Sequence, residues 1–139
     1  MPSVLFVCVH NSGRSQMAEA FFKQLALDRA QAFSAGTQPT DSLNPNVVAV
    51  MREIGISMDA FSPKLLTEQM ITYVDRVITM GCSVQDACPG VLSDDIEDWG
   101  LADPAGASIE EIREIRQEIR GRVEELLPEL VPDIGALGE

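Results

Sequence analysis

The sequence predicts an α/β fold, in which helices pack against a parallel sheet. Residues Ser3–Val7 form an apolar run, which is typical of a strand buried on both faces of such a sheet. The chain then changes to a helical repeat, and further short apolar runs alternate with helical repeats along its length. This alternation is the pattern of a sheet covered by helices.

A polar loop and a helix follow the first strand. Beyond the loop at residues 8–14, apolar residues recur at helical spacing: Met17, Ala18, Phe21, Phe22 and Leu25. A second short strand is predicted at Ala32–Ala35, closed by Gly36. The segment Pro45–Ile54 is predicted as a helix, because proline suits its first turn and Gly55 suits its end.

The C-terminal half predicts two more strands and a long helix. Arg76–Met80 is predicted as a third buried strand and Ile96–Trp99 as a short fourth. Ser108 and Glu111 form a capping box that begins the last helix, and Pro128 is predicted to end it. Its apolar face consists of Ile109, Ile112, Ile115, Ile119, Val123 and Leu126.

Length and composition predict one globular domain, residues 1–139. The apolar fraction is 45% and the charged fraction 23%, both ordinary for a folded protein. No run approaches the roughly 20 apolar residues that cross a bilayer, and the N-terminus does not resemble an export signal. The three cysteines are an odd number, which favours reactive thiols over a disulfide framework. We therefore expect a cytoplasmic monomer without a membrane partner.

Charge is distributed unevenly along the chain. The net charge is −12, yet residues 1–64 carry 5 basic and 5 acidic residues, so the whole excess lies in residues 65–139. Nucleic acid is therefore not an expected partner, because phosphate backbones require a basic surface. An anionic substrate is compatible with the neutral N-terminal half, provided that local donors bind it.

The loop after the first strand predicts an oxyanion site with a nucleophile. It contains Cys8, Val9, His10, Asn11, Ser12, Gly13, Arg14 and Ser15. Between a strand and a helix, such a loop can turn successive N–H groups inward to bind an anion. Arg14 adds planar donors, and the same field stabilises a thiolate on Cys8, to which Ser15 can donate. A lone cysteine is more often a core residue, but this position favours catalysis.

This loop resembles the phosphate-binding loop of the low-molecular-weight protein tyrosine phosphatase fold. The next residues, Ser15–Glu19, are similar to those of the arsenate reductases on that fold, whereas the phosphatases usually have proline at the position of Gln16. Gly13 stands where many relatives have a non-catalytic cysteine. The resemblance implies a three-layer sandwich with a four-stranded parallel sheet and helices on both faces.

Asp103 is a candidate general acid. An oxygen leaving group needs a proton, which a carboxylic acid held over the loop can supply. In the family this acid precedes a proline, and Asp103 precedes Pro104. The phosphatases commonly have a tyrosine next, where this chain has Ala105. Without the loop, an Asp-Pro pair would indicate only a turn.

Cys82 and Cys88 distinguish a reductase from a phosphatase. A phosphatase needs one thiol, whereas a two-electron reduction needs a second thiol to close a disulfide. A zinc site is disfavoured, because the chain has a single, distant histidine. Two buried core thiols remain the alternative.

The resemblance implies a thioredoxin-coupled arsenate reductase. In such a protein Cys8 attacks arsenate, Cys82 resolves the adduct, and Cys88 takes over the disulfide. Phosphate and sulfate are expected as competing anions. No metal and no tightly bound cofactor are expected, and the reductant is an external thiol of the thioredoxin, mycothiol or glutaredoxin type.

Two other functions stay open at this point. A phosphotyrosine phosphatase would use Cys8, Arg14 and Asp103 alone, and a sensor of oxyanions or redox state would use the thiols without turnover. Some relatives also bind potassium beside the loop, and Asn11, Glu19 and Ser34 loosely match its ligands.

Overall fold

The computed structural model describes residues 1–80, 97–102 and 104–132. Within them lies a four-stranded sheet of order β2-β1-β3-β4 in which every pairing is parallel. The strands are β1 (Ser3–Cys8), β2 (Gln31–Gly36), β3 (Arg76–Thr79) and β4 (Glu97–Asp98). The predicted parallel sheet is therefore confirmed.

Helices cover both faces of the sheet, as predicted. They are α1 (Arg14–Ala26), α2 (Pro45–Glu53), α3 (Glu68–Tyr73) and α4 (Ile109–Leu130). Val4 and Phe6 of β1 join the core formed with α1, α2 and α4, whereas Leu5 and Val7 face α3. This alternation explains the apolar run, because β1 lies inside the sheet and is buried on both faces. None of the described helices has the length and apolar content that a membrane span requires.

Local signals begin α4 and bound α2 where the sequence predicts. The Ser108 hydroxyl accepts from the Glu111 N–H at 3.2 Å, and the Glu111 carboxylate accepts from the Ser108 N–H at 3.1 Å. Pro45 occupies the first turn of α2, and Gly55 follows its end with φ 82°. These contacts join residues close in the chain, so sequence alone identifies them.

Two helical features differ from expectation. The last helix passes Pro128 and ends at Leu130. Pro128 lies two residues before the end of α4 and removes one helical N–H donor there. The buried Leu126 and Leu127 hold this last turn against the core. The short α3 was not predicted, since it has no fully buried residue and its periodicity is weak. The sequence does contain one signal for the start of α3, the N-cap residue Thr67. Its hydroxyl accepts from the Met70 N–H at 3.2 Å.

Candidate oxyanion site

Cys8 lies at the carboxyl end of β1, a central strand of the sheet. The loop that follows leads directly into α1, which begins at Arg14. The positive end of the α1 dipole therefore adjoins the loop, where it favours an anion. Ligands of parallel α/β sheets bind at this edge.

The loop turns its carbonyl groups toward the segment 37–44. The carbonyls of Cys8, Val9, His10 and Ser12 accept N–H groups of that segment at 3.3, 2.8, 3.2 and 2.9 Å respectively. No peptide among the described residues is cis, so each following N–H points away from that segment. The loop thus presents successive donors on one side, as an anion-binding loop requires.

The Cys8 sulfur lies on this donor side. Cys8 as a residue is 2% exposed, and the Asn11 N–H donates to its sulfur at 3.2 Å. The Ser15 hydroxyl lies 2.8 Å from it. Donors at these positions stabilise a thiolate more than a thiol, because the thiolate carries the negative charge.

Arg14 is 6% exposed, and its position depends on the rest of the sheet. Its Nη1 donates to the Met80 carbonyl at 2.6 Å and to the Leu101 carbonyl at 3.0 Å. Met80 directly follows β3, and Leu101 follows β4 by three residues. The guanidinium is therefore held by the segments that follow β3 and β4, the two strands beyond β1.

Pro104 packs against the loop. Together with Cys8, His10, Ser12, Gly13 and Arg14, it lines a small depression beside the sulfur. A Cβ on Gly13 would lie 2.7 Å from the Pro104 Cγ, closer than side chains approach one another. The absence of a side chain at position 13 thus allows Pro104 to lie directly on the loop.

Sequence reasoning missed Gln16 as part of the site. Its amide nitrogen lies 3.1 Å from the Asn11 carbonyl, 3.0 Å from Asn11 Oδ1 and 2.8 Å from the Ser62 carbonyl. Asn11 itself has φ 50°, the left-handed conformation that asparagine tolerates better than most residues. A glutamine in the first turn of the predicted helix, directly after the polar loop, was the signal available in the sequence.

The loosely matched potassium ligands are satisfied by other groups. The Glu19 carboxylate accepts from Ser34 at 2.5 Å and pairs with Lys23 at 2.5 Å and Lys64 at 3.7 Å. Asn11 Oδ1 already accepts two N–H groups. Two ammonium groups neutralise the carboxylate, so this arrangement does not fit a potassium ion.

Three predicted site residues lie outside the described residues: Cys82, Cys88 and Asp103. Met80, two residues before Cys82, and Pro104, which follows Asp103, are described, and both contact the loop residues. The structure therefore brings together the residues from Cys8 to Ser15.

Gly36 packs directly against the backbone of the loop, so its substitution is expected to displace the loop. A Cβ there would lie 2.5 Å from the Val9 carbonyl oxygen and 2.9 Å from both the backbone N and the Cβ of Asn11. Gly36→Ala should therefore weaken inorganic phosphate binding, measured by calorimetry, and slow Cys8 alkylation by roughly 10- to 100-fold, the effect of a 1 Å misplacement.

The matched control is Gly121→Ala in α4. A Cβ at Gly121 meets no atom within 4 Å, so binding and alkylation should not change. Helix propensity should even raise the free energy of unfolding by about 1 kcal/mol. Equal behaviour of the two variants would show that the loop tolerates a Cβ at Gly36.

Comparison with known proteins shows that this chain is similar to phosphatases and to arsenate reductases. Residues 3–134 match the family described as low molecular weight phosphotyrosine protein phosphatase. Arsenate reductase 1 of Staphylococcus epidermidis is 38% identical over 125 residues, which cover 88% of this chain and 92% of the relative.

Two solved structures have the same fold. One, described as an arsenate reductase in the phosphate binding state, has a TM-score of 0.84 and 34% sequence identity. The match covers 94% of this chain and 99% of that protein's chain. The thioredoxin-dependent arsenate reductase of Corynebacterium glutamicum has a TM-score of 0.80 and 37% identity, and covers 96% of this chain. The match spans 63% of that longer protein.

Proposed function

Because the chain belongs to the low-molecular-weight phosphotyrosine protein phosphatase family, we propose that it uses the family's loop to reduce arsenate to arsenite. The observation that carries the proposal is the buried Cys8 sulfur, with the Asn11 N–H and the Ser15 hydroxyl beside it. The family alone would equally allow a phosphatase. The arsenate reductases among its relatives and the two further cysteines favour reduction.

The first step is attack of the Cys8 thiolate on arsenic(V). A sulfur–arsenic bond forms, and one arsenate oxygen leaves as water after Asp103 donates a proton. Arg14 and the N–H groups from Val9 to Ser15 bind the remaining oxygens. The contact of Pro104 with Gly13 supports this role for Asp103, the preceding residue.

The second step transfers two electrons to arsenic. The Cys82 thiolate attacks the Cys8 sulfur, and the sulfur–arsenic bond breaks with its electron pair remaining on arsenic. Arsenite leaves, and a Cys8–Cys82 disulfide remains. Two thiols have then lost two electrons and arsenic has gained them. The contact between Arg14 and Met80, two residues before Cys82, supports a path from β3 to the site.

The last steps restore the enzyme by thiol–disulfide exchange. The Cys88 thiolate attacks the Cys82 sulfur, which releases the Cys8 thiolate and leaves a Cys82–Cys88 disulfide. An external dithiol then reduces that disulfide. Thioredoxin is the first candidate, because the Corynebacterium glutamicum relative is thioredoxin-dependent.

One assay tests the proposed function. The intact chain should form arsenite from arsenate with thioredoxin, thioredoxin reductase and NADPH, and phosphate or sulfate should inhibit by competition. Parallel reactions with glutaredoxin plus glutathione, and with mycothiol, identify the reductant. Hydrolysis of aryl phosphates without arsenite formation under any reductant would make the protein a phosphatase instead.

Asp103→Asn is expected to slow the first chemical step by roughly 10²–10⁴-fold, the usual contribution of a positioned general acid. Binding of inorganic phosphate should stay the same or tighten, because asparagine keeps the shape and removes an ionisable carboxyl group near the anion. Single-turnover kinetics with aryl phosphates of graded leaving-group acidity provide the measurement.

The size of the defect should depend on the substrate. It should shrink for good leaving groups, which need less protonation. An equal loss across the series would leave Asp103 as a turn residue and remove the acid step from the mechanism.

A further inference from the structure

We propose that Gln16 is a positioning residue for Cys8. Through Asn11 and Ser15, its side-chain N–H groups hold the two donors that stabilise the Cys8 thiolate. The inference rests on the proposed function only in taking Cys8 as the reacting group. Gln16 itself bonds to Asn11 and Ser62 and does not touch the sulfur.

Gln16 is fully buried in the first turn of α1, and its contacts fix its orientation. The three atoms around Nε2 are all acceptors, two on Asn11 and one on Ser62. The amide nitrogen must face them, because the amide oxygen would repel them. Its Oε1 has no hydrogen-bond partner among the described residues. Burial of that oxygen is costly, so the residue is best explained by its donors.

The next link is the Asn11 side chain. Its Oδ1 accepts from Gln16 and, at 2.8 Å, from the Lys64 N–H. With the oxygen fixed there, Nδ2 faces Ser15 and donates to its hydroxyl at 2.7 Å. The Ser15 oxygen thus receives one hydrogen, and its own hydrogen is available to the Cys8 sulfur at 2.8 Å.

Gln16 also reaches the second donor through the backbone. Its bond to the Asn11 carbonyl holds a residue whose φ is 50° and whose N–H donates to the sulfur. A left-handed asparagine is mildly unfavourable by itself, so external bonds are needed to keep this donor in place. One side chain therefore braces both groups that contact the sulfur.

The test measures Cys8 reactivity directly. In a Cys82→Ser/Cys88→Ser background Cys8 is the remaining cysteine, and its rate of alkylation by iodoacetamide is followed across pH. Gln16→Met fills similar space without donors. We expect the midpoint of the pH profile to rise by about one pH unit, so that alkylation below the midpoint slows about tenfold. His10 and Arg14, the titratable and charged groups that line the depression, are the same in every variant.

The matched control is Gln24→Met, on an exposed position of the same helix, whose profile should equal that of the background protein. A second background separates the proposed path from a general loosening of the loop. With Ser15→Ala, one of the two braced donors is absent, so the shift caused by Gln16→Met should shrink. An equal shift in both backgrounds would overturn the path through Ser15.

Folding of each variant is checked by thermal unfolding. If Gln16→Met does not fold, Gln16→Ala is measured in its place, with the same expected shift. An unchanged midpoint in a folded variant overturns the inference. Because alkylation uses no arsenate, that result would leave the proposed reductase intact, whereas failure of the intact chain to form arsenite would leave the role of Gln16 intact.

Discussion

Cys8→Ser is expected to abolish arsenate reduction together with any hydrolysis of aryl phosphates. A serine hydroxyl stays neutral in this loop and is a far poorer nucleophile than a thiolate. The rate should fall by roughly 10⁴–10⁶-fold, the range for loss of a catalytic nucleophile in other enzymes. Both activities are measured on the same preparation, by arsenite formation and by release of an aryl alcohol.

Phosphate binding provides the control for this variant. The Met80 and Leu101 carbonyls hold the Arg14 guanidinium, and the segment 37–44 holds the loop carbonyls, so inorganic phosphate should still bind. It should bind at least as tightly, since the thiolate charge that repels it is absent. Lost binding would mean that the loop has collapsed, and appreciable arsenite formation by Cys8→Ser would exclude Cys8 as the nucleophile.

Cys82→Ser is expected to end arsenate turnover and to leave a slow hydrolysis of aryl phosphates. Hydrolysis requires only the first nucleophile and its acid, whereas arsenite release requires a second thiol to attack the Cys8 sulfur. Arsenite should therefore stay below one equivalent per enzyme in a rapid-quench experiment with excess arsenate.

Cys88→Ser is the matched control, since it removes a thiol that acts one step later. It should release one equivalent of arsenite and then stop, with Cys8 and Cys82 joined in a disulfide detectable by mass spectrometry of peptides. Continued turnover of Cys82→Ser with thioredoxin would exclude Cys82 as the resolving thiol. Turnover sustained by a small thiol would indicate a mycothiol-like route.

The strand, the loop and the helix around Cys8 could be predicted because their signals are local. An apolar run, a polar loop containing glycine and a helical repeat are consecutive in the chain, and β1 and α1 form where they predict. The capping box at Ser108 and the end of α2 near Gly55 are equally local. Such signals depend on residues three or four positions apart.

The support of the loop could not be predicted, because its partners are distant in the chain. Gln16 reaches Ser62, which is 46 positions away, and Arg14 reaches Met80 and Leu101, which are 66 and 87 positions away. The close approach of Gly36 to Val9 depends on the pairing of β2 with β1. No local periodicity specifies which distant backbone carbonyl lies beside a given side chain.

The sequence by itself determined the class of fold and the position of the candidate loop at Cys8, because strand, loop and helix follow one another without interruption. Only the tertiary structure decided how that loop is held. The strand order β2-β1-β3-β4 places β3 on one side of the Cys8 strand and β2 on the other, so that Arg14 is fixed from one side and the loop is supported by Gly36 from the other. Strand order is set by burial of both sheet faces across the whole domain, a property to which every element contributes and which no single segment encodes.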